Sequence, residues 1–132
     1  ENIMVNQMFA PIKNYLDEHC DLIYGVETAL YSNTLRLAGR CDLICRLHGM
    51  PCIVDFKTAS KPKEEKWILN YFMQTAAYSQ MLYERHRILA KWICLLIATE
   101  HDGLQVFYKQ TSDYYSSLID YLDRNRVDIW GN

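Results

Sequence analysis

The first half of the chain contains three stretches of strand-favouring residues, separated by short polar turn sequences. They predict strands over 22–31, 34–47 and 51–57, with turns at Ser32–Asn33 and at His48–Gly49. The three strands therefore form two linked hairpins.

The second half alternates between helical and strand patterns. Residues 91–99 are nearly all apolar, which predicts a central strand buried on both faces, and residues 104–110 form its partner after a turn at His101–Gly103. Helices are predicted over 11–19, where Pro11 opens the first turn, over 70–87, where Asn70 is the N-cap, and over 112–125. The order α-β-β-β-α-β-β-α predicts an α/β (α+β) fold with a mixed central sheet flanked by helices.

Composition limits the domain count and the compartment. A chain of 132 residues with 50% hydrophobic content is expected to form one domain, 1–132. Five cysteines, an odd number without CxxC spacing, favour reduced thiols over disulfides or a zinc site. No apolar run or signal peptide indicates a membrane, so a soluble chain is expected. Because the sequence begins with Glu1, we expect it to be part of a longer chain.

The net charge of −2 provides no general basic surface. Nucleic-acid binding would therefore depend on a local groove and on metal ions, not on overall attraction.

The predicted hairpin at His48–Gly49 groups three charged residues. With a two-residue turn, counting outward places Asp42 opposite Asp55, where Cβ atoms on neighbouring strands are roughly 4.5–5.5 Å apart. Lys57 shares a face with Asp55, because side chains alternate along a strand. Two carboxylates at this spacing suit Mg²⁺ or Mn²⁺, and a lysine beside the metal could orient or deprotonate a water.

The alternative is a plain ion pair, in which Lys57 neutralises one aspartate at the end of the sheet. The in-register Asp42 favours the metal site. Gly39, three residues before Asp42, also favours it, because a strand glycine permits a bend or a close backbone approach.

Other polar and aromatic residues have two interpretations each. Gln74 and Tyr78 share one face of the predicted helix and could reach the site, or Tyr78 could pack in the core with Gln74 exposed. The lysines of 61–66 could guide a nucleic-acid strand, but interleaved glutamates favour a solvated loop. Tyrosines of the last helix could stack bases, although their spacing favours packing: Tyr114, Tyr115 and Tyr121. The histidines show no catalytic spacing, so no chemistry is assigned to them.

The segments LAGRCDLI, VDFKT and QTAAY carry a family resemblance, with Asp55 following Asp42 by 13 residues. Over about residues 22–99 the chain resembles the PD-(D/E)XK nuclease superfamily in its RecB-like branch, most closely the mitochondrial genome maintenance exonuclease and related phage exonucleases. The resemblance implies a restriction-endonuclease-like core, α-β-β-β-α-β, with a further strand and a C-terminal helix.

The same resemblance implies roles for individual residues. Asp42, Asp55 and the Phe56 backbone carbonyl would bind Mg²⁺ or Mn²⁺, with Lys57 as the catalytic lysine; Glu27, on the first strand, is a further metal-ligand candidate. Gln74 and Tyr78 match the branch's helical glutamine and tyrosine and are expected to act in catalysis. The expected substrate contacts are Thr58, Gln74, Tyr78, Lys61 and Lys63.

One feature of the branch is absent. Its metal-binding histidine on an upstream helix has no counterpart before Glu27, and His19 is too close to the first strand. We expect that helix to lie in a missing N-terminal part or on another chain.

The sequence thus predicts a Mg²⁺- or Mn²⁺-dependent exonuclease on single-stranded DNA ends. The alternatives are a binding module that grips nucleic acid or a protein without cutting, and a structure-specific endonuclease. The expected compartment is the cytoplasm, that of the host if a phage encodes the chain, or the mitochondrial matrix. The sequence does not choose among the biological roles that such a nuclease could have: phage genome processing, recombination, repair or organelle DNA maintenance.

Overall fold

The order of helices and strands in the computed structural model is the predicted one. The structure describes residues 3–126, with side chains from Met8 onward. The helices and strands are α1 Ile3–His19, β1 Cys20–Ser32, β2 Leu37–Leu47, β3 Met50–Ala59, α2 Leu69–His86, β4 Trp92–Thr99, β5 Leu104–Gln110 and α3 Tyr115–Asn125. Short 3₁₀ turns, Glu65–Trp67 and Thr111–Tyr114, precede α2 and α3.

The five strands form one mixed sheet in the order β1-β2-β3-β4-β5. Only β3 and β4 are parallel, and the other neighbours are antiparallel. A parallel pair needs a long crossover, which α2 provides. The predicted mixed sheet flanked by helices, consistent with a restriction-endonuclease-like fold, is confirmed.

Each face of the sheet packs against its own layer of helix. On one face, α2 and α3 cover a core that includes Ile53, Phe72 and Leu95. On the other, α1 covers a core that includes Ile12 and Leu96. The central strand β4 is buried from Ile93 to Thr99, as its apolar sequence predicts.

The cysteines are free thiols, and four of the five are buried. Their prediction as core and strand residues is confirmed. Within residues 3–126, no helix is both long enough and apolar enough to cross a membrane.

The first helix differs from its predicted extent. It begins at Ile3, so Pro11 lies inside it and does not open it. Met8, Ile12 and Leu16 recur at helical spacing and pack on the core beneath α1. This tertiary packing compensates for the hydrogen bond that an internal proline removes.

The prediction of Asn70 as the N-cap of α2 was wrong. The cap position is Ile68, whose carbonyl accepts hydrogen bonds from the amides of Tyr71 and Phe72. The preceding 3₁₀ turn leads directly into the helix, which leaves Asn70 within its first turn. The helix ends at His86, where Arg87 adopts a left-handed conformation (φ 58°) and donates its amide to the Tyr83 carbonyl.

The second strand starts at Leu37 and not at residue 34, because residues 33–36 form a turn. The Glu84 carboxylate holds this turn by accepting hydrogen bonds from the Ser32 hydroxyl (2.5 Å) and the Asn33 amide (3.0 Å). The last helix also starts later than predicted, because residues Thr111–Tyr114 form a 3₁₀ turn.

Candidate active site

The hairpin of β2 and β3 has the predicted two-residue turn. Its register runs from Leu47 opposite Met50 to Leu43 opposite Val54, and regular pairing ends there, one step before Asp42. The ladder pairs thus stop short of Asp42 and Asp55, although the predicted register, carried one step further, sets these two residues opposite each other. The Asp42 Oδ2 atom instead accepts a hydrogen bond of 2.9 Å from the Phe56 amide. This contact places a carboxylate between the two strands where they separate.

The Asp55 carboxylate is buried, with 5% of the residue exposed. Burial raises the pKa of Asp55 from 3.8 to about 6; the Lys57 ammonium opposes this rise and the nearby Asp42 carboxylate adds to it. Its Oδ2 atom has no hydrogen-bond donor in the described part of the chain. A buried oxygen in this state favours a nearby cation.

Lys57 lies beside this oxygen on the same face of β3. Its Nζ atom is 3.2 Å from Asp55 Oδ2, within ion-pair distance but outside hydrogen-bond geometry. The same ammonium is 3.5 Å from Gln74 Oε1 and 4.6 Å from the centroid of the Tyr71 ring. The ion pair of the alternative interpretation is thus present. Its partners on α2 show that Lys57 also belongs to a larger polar group.

Helix α2 contributes the rest of this group. The Gln74 side chain is exposed and its Nε2 atom donates to the Tyr78 hydroxyl at 3.4 Å. Tyr78 is mostly buried, and burial, followed by the charge of Asp55, raises its pKa. Both interpretations of the pair therefore hold in part: Tyr78 packs in the core, and its hydroxyl meets a polar neighbour.

Gly39 explains how Tyr78 reaches this position. A Cβ atom on Gly39 would lie 2.9 Å from Tyr78 Cε1 and 3.0 Å from its hydroxyl oxygen. The missing side chain lets the tyrosine ring approach strand β2 closely. The predicted close approach at this glycine is thus between a side chain of α2 and the strand backbone.

Glu27 lies level with Asp42 on the neighbouring strand. The pairs Val26 with Leu43 and Thr28 with Cys41 bracket the two acids. Glu27 is exposed and has a positive φ of 47°, unusual for a strand residue other than glycine. No group of three or more His, Cys, Asp or Glu side chains suited to a metal ion occurs among the described residues. A role for Glu27 as a ligand therefore stays a prediction.

The other predicted substrate residues lie beyond the end of this group. Thr58 is exposed near the end of β3, and Lys61 and Lys63 are exposed in the loop that follows. Among the tyrosines of the last helical segment, Tyr114 stacks on Phe72 at 4.9 Å between ring centroids. Tyr114 and Tyr115 pack against the core, whereas Tyr121 is 50% exposed.

Tyr71 was not predicted to take part. Its ring lies against the Lys57 ammonium, where the aromatic face favours the charged lysine. Tyr71 precedes Gln74 by three residues, so helical spacing alone could have placed it on the same face.

The described residues fit a hard divalent cation at this point. The buried Asp55 Oδ2 atom, which has an ion-pair partner but no hydrogen-bond donor, and the carboxylate of Asp42 are oxygen ligands of the kind that Mg²⁺ and Mn²⁺ prefer. The predicted Phe56 carbonyl ligand belongs to the residue whose amide binds Asp42. These groups would hold a metal next to the Lys57 ammonium.

Comparison with known proteins gives a family match and two similar folds. The sequence model of the PD-(D/E)XK nuclease superfamily matches residues 2–124. A solved structure from Eubacterium rectale, described as that of a candidate exonuclease, aligns with a TM-score of 0.59 at 9% identity over 92% of this chain and 50% of that one. The structure of SSO0001 aligns with a TM-score of 0.50 at 15% identity over 96% of this chain and 61% of that one.

The chain thus spans between half and two thirds of the length of these solved chains. At such low identity the two structures support the fold alone. None of the curated proteins compared matches the chain significantly.

Proposed function

Because the chain belongs to the PD-(D/E)XK nuclease superfamily, we propose that it hydrolyses phosphodiester bonds of DNA with Mg²⁺ or Mn²⁺ at Asp42, Asp55 and Lys57. The observation that supports this proposal most directly is the buried Asp55 Oδ2 atom, which has no hydrogen-bond donor in the described chain and lies 3.2 Å from a lysine ammonium. A buried acid that only stabilised the fold would be expected to have its hydrogen bonds satisfied.

The chain's own residues would divide the work as follows. Asp42 and Asp55 hold the cation, and the Phe56 amide fixes the orientation of the Asp42 carboxylate. When bound, the metal supplies a Lewis acid that lowers the pKa of a water and offsets charge on the phosphate. Lys57 orients the attacking water or takes its proton, and adds positive charge beside the phosphate.

Gln74 and Tyr71 position that lysine. The Gln74 amide oxygen and the Tyr71 ring approach the Lys57 ammonium from the side of α2. A long, flexible lysine is thereby confined near Asp55, which reduces the entropy lost on reaching the reactive geometry.

Single-stranded DNA ends are the proposed substrate, and the RecB-like branch is the proposed subgroup. The resemblance carried by the segments LAGRCDLI, VDFKT and QTAAY supports both. The alternative is a module that binds nucleic acid without cutting it. The absence of a third acidic, histidine or cysteine ligand among residues 3–126 favours that alternative.

Nucleotide release separates these functions. Linear single-stranded DNA and a closed single-stranded circle are incubated with the chain in Mn²⁺ and, as a control, in EDTA. An exonuclease releases nucleotides from the linear strand only, an endonuclease also opens the circle, and a binding module retains both uncut. The Asp42→Asn variant should lose the activity, whereas Asp120→Asn, which changes an exposed aspartate paired with Arg124, should keep it.

Thermal melting tests the metal site independently of activity. Asparagine retains an oxygen that can accept the Phe56 amide, and it removes the negative charge facing Asp55, so Asp42→Asn should be as stable as the wild type in EDTA, or slightly more so. Millimolar Mn²⁺ should raise the melting temperature of the wild type but not that of the variant, because a ligand of the native state stabilises it by mass action. If Mn²⁺ leaves the melting temperature of the wild type unchanged, Asp42 is not a metal ligand.

A further inference from the structure

Trp67 is the most exposed large hydrophobic side chain among the described residues. It lies in the 3₁₀ turn between β3 and α2, with 66% of the residue accessible. The only nearby group described at its ring is the Lys66 ammonium, 5.8 Å from the centroid. Single exposed apolar residues are common on protein surfaces, so the exposure of Trp67 gains meaning only together with the charges of the same loop.

The sequence suggested that the glutamates of this loop neutralise its lysines, but within the described chain the glutamates pair with only one lysine of the loop and with one from β5. Glu65 pairs with Lys109 of β5 at 2.6 Å, and Glu64 pairs with Lys66 at 3.4 Å. Lys61 and Lys63 are exposed, and no carboxylate of the described chain pairs with either of them. The glutamates are therefore neutralised locally, and the loop presents the free positive charge of two lysines.

The loop is also held in place. The Lys63 amide donates to Gln105 Oε1 at 2.8 Å, and Gln105 Nε2 donates to the Lys63 carbonyl at 2.9 Å. This pair of hydrogen bonds ties the loop to strand β5. A fixed loop loses less conformational entropy on binding than a free one does.

The surface formed by Lys61, Lys63 and Trp67 belongs to the segment that adjoins the candidate active site along the chain. The loop that carries it joins the strand of Lys57 to the helix of Gln74. Tyr71, four residues after Trp67, lies against the Lys57 ammonium. A nucleic-acid strand bound along this loop would therefore lie beside the strand and the helix that carry Lys57 and Tyr71.

We propose that this surface binds single-stranded nucleic acid, with one base stacked on Trp67 and neighbouring phosphates on Lys61 and Lys63. The combination of an open aromatic face and unpaired lysines suits a polyanion with flat, unstacked bases. In a duplex the faces of the bases are already covered, so stacking selects a single strand. The inference rests on the proposed function, since it supplies the strand path into that site.

The test is a binding measurement in EDTA, where no cleavage can occur. A short fluorescein-labelled oligo(dT) is titrated with the wild type, Trp67→Ala and Trp67→Phe. Trp67→Ala should weaken binding roughly 5- to 100-fold, and Trp67→Phe should retain most of it, because phenylalanine keeps a stacking face. Oligo(dT) should also quench the tryptophan emission of the wild type, and Trp67→Phe should lose that signal.

Tyr83 provides the matched control. It is an exposed aromatic residue (42%) with a cation, Arg87, 5.4 Å from its ring, roughly 20 Å away along α2. Tyr83→Ala should bind oligo(dT) like the wild type. Equal weakening by the two alanine variants would overturn the assignment of Trp67.

An abasic strand separates stacking from charge. With phosphates but no bases, its affinity should be the same for the wild type and Trp67→Ala, whereas replacing Lys61 and Lys63 with glutamine should weaken binding of both strands. The double lysine variant should also reduce the slope of log affinity against log salt by roughly 0.7 for each phosphate that a lysine no longer neutralises.

The outcomes distinguish this surface from the nuclease proposal. Binding that depends on Trp67, in a wild type that never cuts DNA with Mn²⁺, supports the surface and contradicts the nuclease. Cleavage by a Trp67→Ala variant with wild-type affinity for oligo(dT) contradicts the surface alone. If oligo(dT) does not bind the wild type at all, the inference is overturned.

Discussion

At the scale of single residues, Asp55 stands out because, within the described part of the chain, no other charged residue is buried. Its position on a strand that is buried from Cys52 to Asp55 places an acid where apolar residues are expected. An acid retained at such a position without hydrogen bonds to both oxygens is typical of functional sites. The pKa of Asp55 and the contribution of the Lys57 ammonium beside it can each be tested.

The raised pKa of Asp55 predicts a pH-dependent stability in EDTA. Because the folded value of about 6 lies above the reference value of 3.8, the folded chain favours the protonated acid. The resulting stabilisation is complete below about pH 4 and is lost as the pH rises through about 6. The free energy of unfolding of the wild type, measured relative to Asp55→Asn by urea titration, should therefore fall between pH 4 and pH 7.

Asp120→Asn is the control, since its carboxylate is exposed and paired with Arg124. Its difference from the wild type should vary little over this range. A wild type that gains stability relative to Asp55→Asn as the pH rises would contradict the burial-raised pKa.

Lys57→Met should remove cleavage and destabilise the metal-free chain. Methionine keeps most of the apolar stem against Tyr71 but removes the ammonium that lies 3.2 Å from Asp55 Oδ2. At pH 8 the loss should be on the order of 2 kcal/mol, because a buried carboxylate loses its counter-charge. Mn²⁺ should recover most of it, since the cation replaces the lost positive charge.

Nucleotide release and thermal melts with and without Mn²⁺ measure both effects. Retained cleavage by Lys57→Met would sink its catalytic assignment. A loss of stability that Mn²⁺ does not recover would instead indicate that the cation does not bind beside Asp55.

At the scale of elements, the candidate site depends on how closely α2 approaches β2. Gly39 leaves room for the Tyr78 ring, and Tyr78 in turn contacts Gln74 through its hydroxyl. The helix side of the site is therefore set by a glycine on a strand that carries one of the predicted ligands, Asp42.

Gly39→Ala should displace the Tyr78 ring. Its new Cβ atom would lie 2.9 Å from Tyr78 Cε1, closer than non-bonded carbon atoms tolerate. The expected cost is roughly 1–3 kcal/mol, together with a drop in nucleotide release per folded molecule. Urea unfolding and the nucleotide-release assay measure the two effects.

The double variant with Tyr78→Leu identifies the cause. If the clash with Tyr78 is responsible, Gly39→Ala should cost much less stability in the Tyr78→Leu background than in the wild type. Equal costs in both backgrounds would place the strain elsewhere on β2.

At the scale of the whole molecule, two cores lie on opposite faces of a single sheet. Each core contains at least one buried cysteine, so thiol labelling can measure the opening of each one. Cys41 belongs to the core beneath α2, while Cys45, Cys52 and Cys94 belong to the core beneath α1. Burial raises the pKa of all four thiols, to about 12 for Cys41 and Cys94. Only Cys20 is partly exposed.

A thiol reagent at pH 8 should therefore label Cys20 in the native chain and the other four cysteines only after unfolding, because buried thiols are neither accessible nor ionised. Mass spectrometry of labelled peptides, with and without denaturant, measures the pattern. If Cys45 and Cys94 label quickly without denaturant while Cys41 does not, the layer of α1 opens separately from the rest.

The sequence by itself determined the order of strands and helices, the β2–β3 turn and the grouping of Asp55 with Lys57. These features are local: turn residues and side-chain alternation act within a few positions of the chain. The motifs LAGRCDLI and VDFKT were also sufficient for the family, which the match over residues 2–124 supports.

Contacts between distant segments were decided by the tertiary structure. Helix α1 continues through Pro11 because its apolar side packs on the sheet. Tyr78 fits against Gly39, and Lys109 neutralises Glu65, although no local pattern predicts that either pair is close. The free energy of these contacts comes from packing and desolvation across the sheet, which exceeds local propensity. For the same reason the burial of Asp55 arises only when the helix layers cover the sheet. With it arises the oxygen without a hydrogen-bond donor on which the proposed metal site depends.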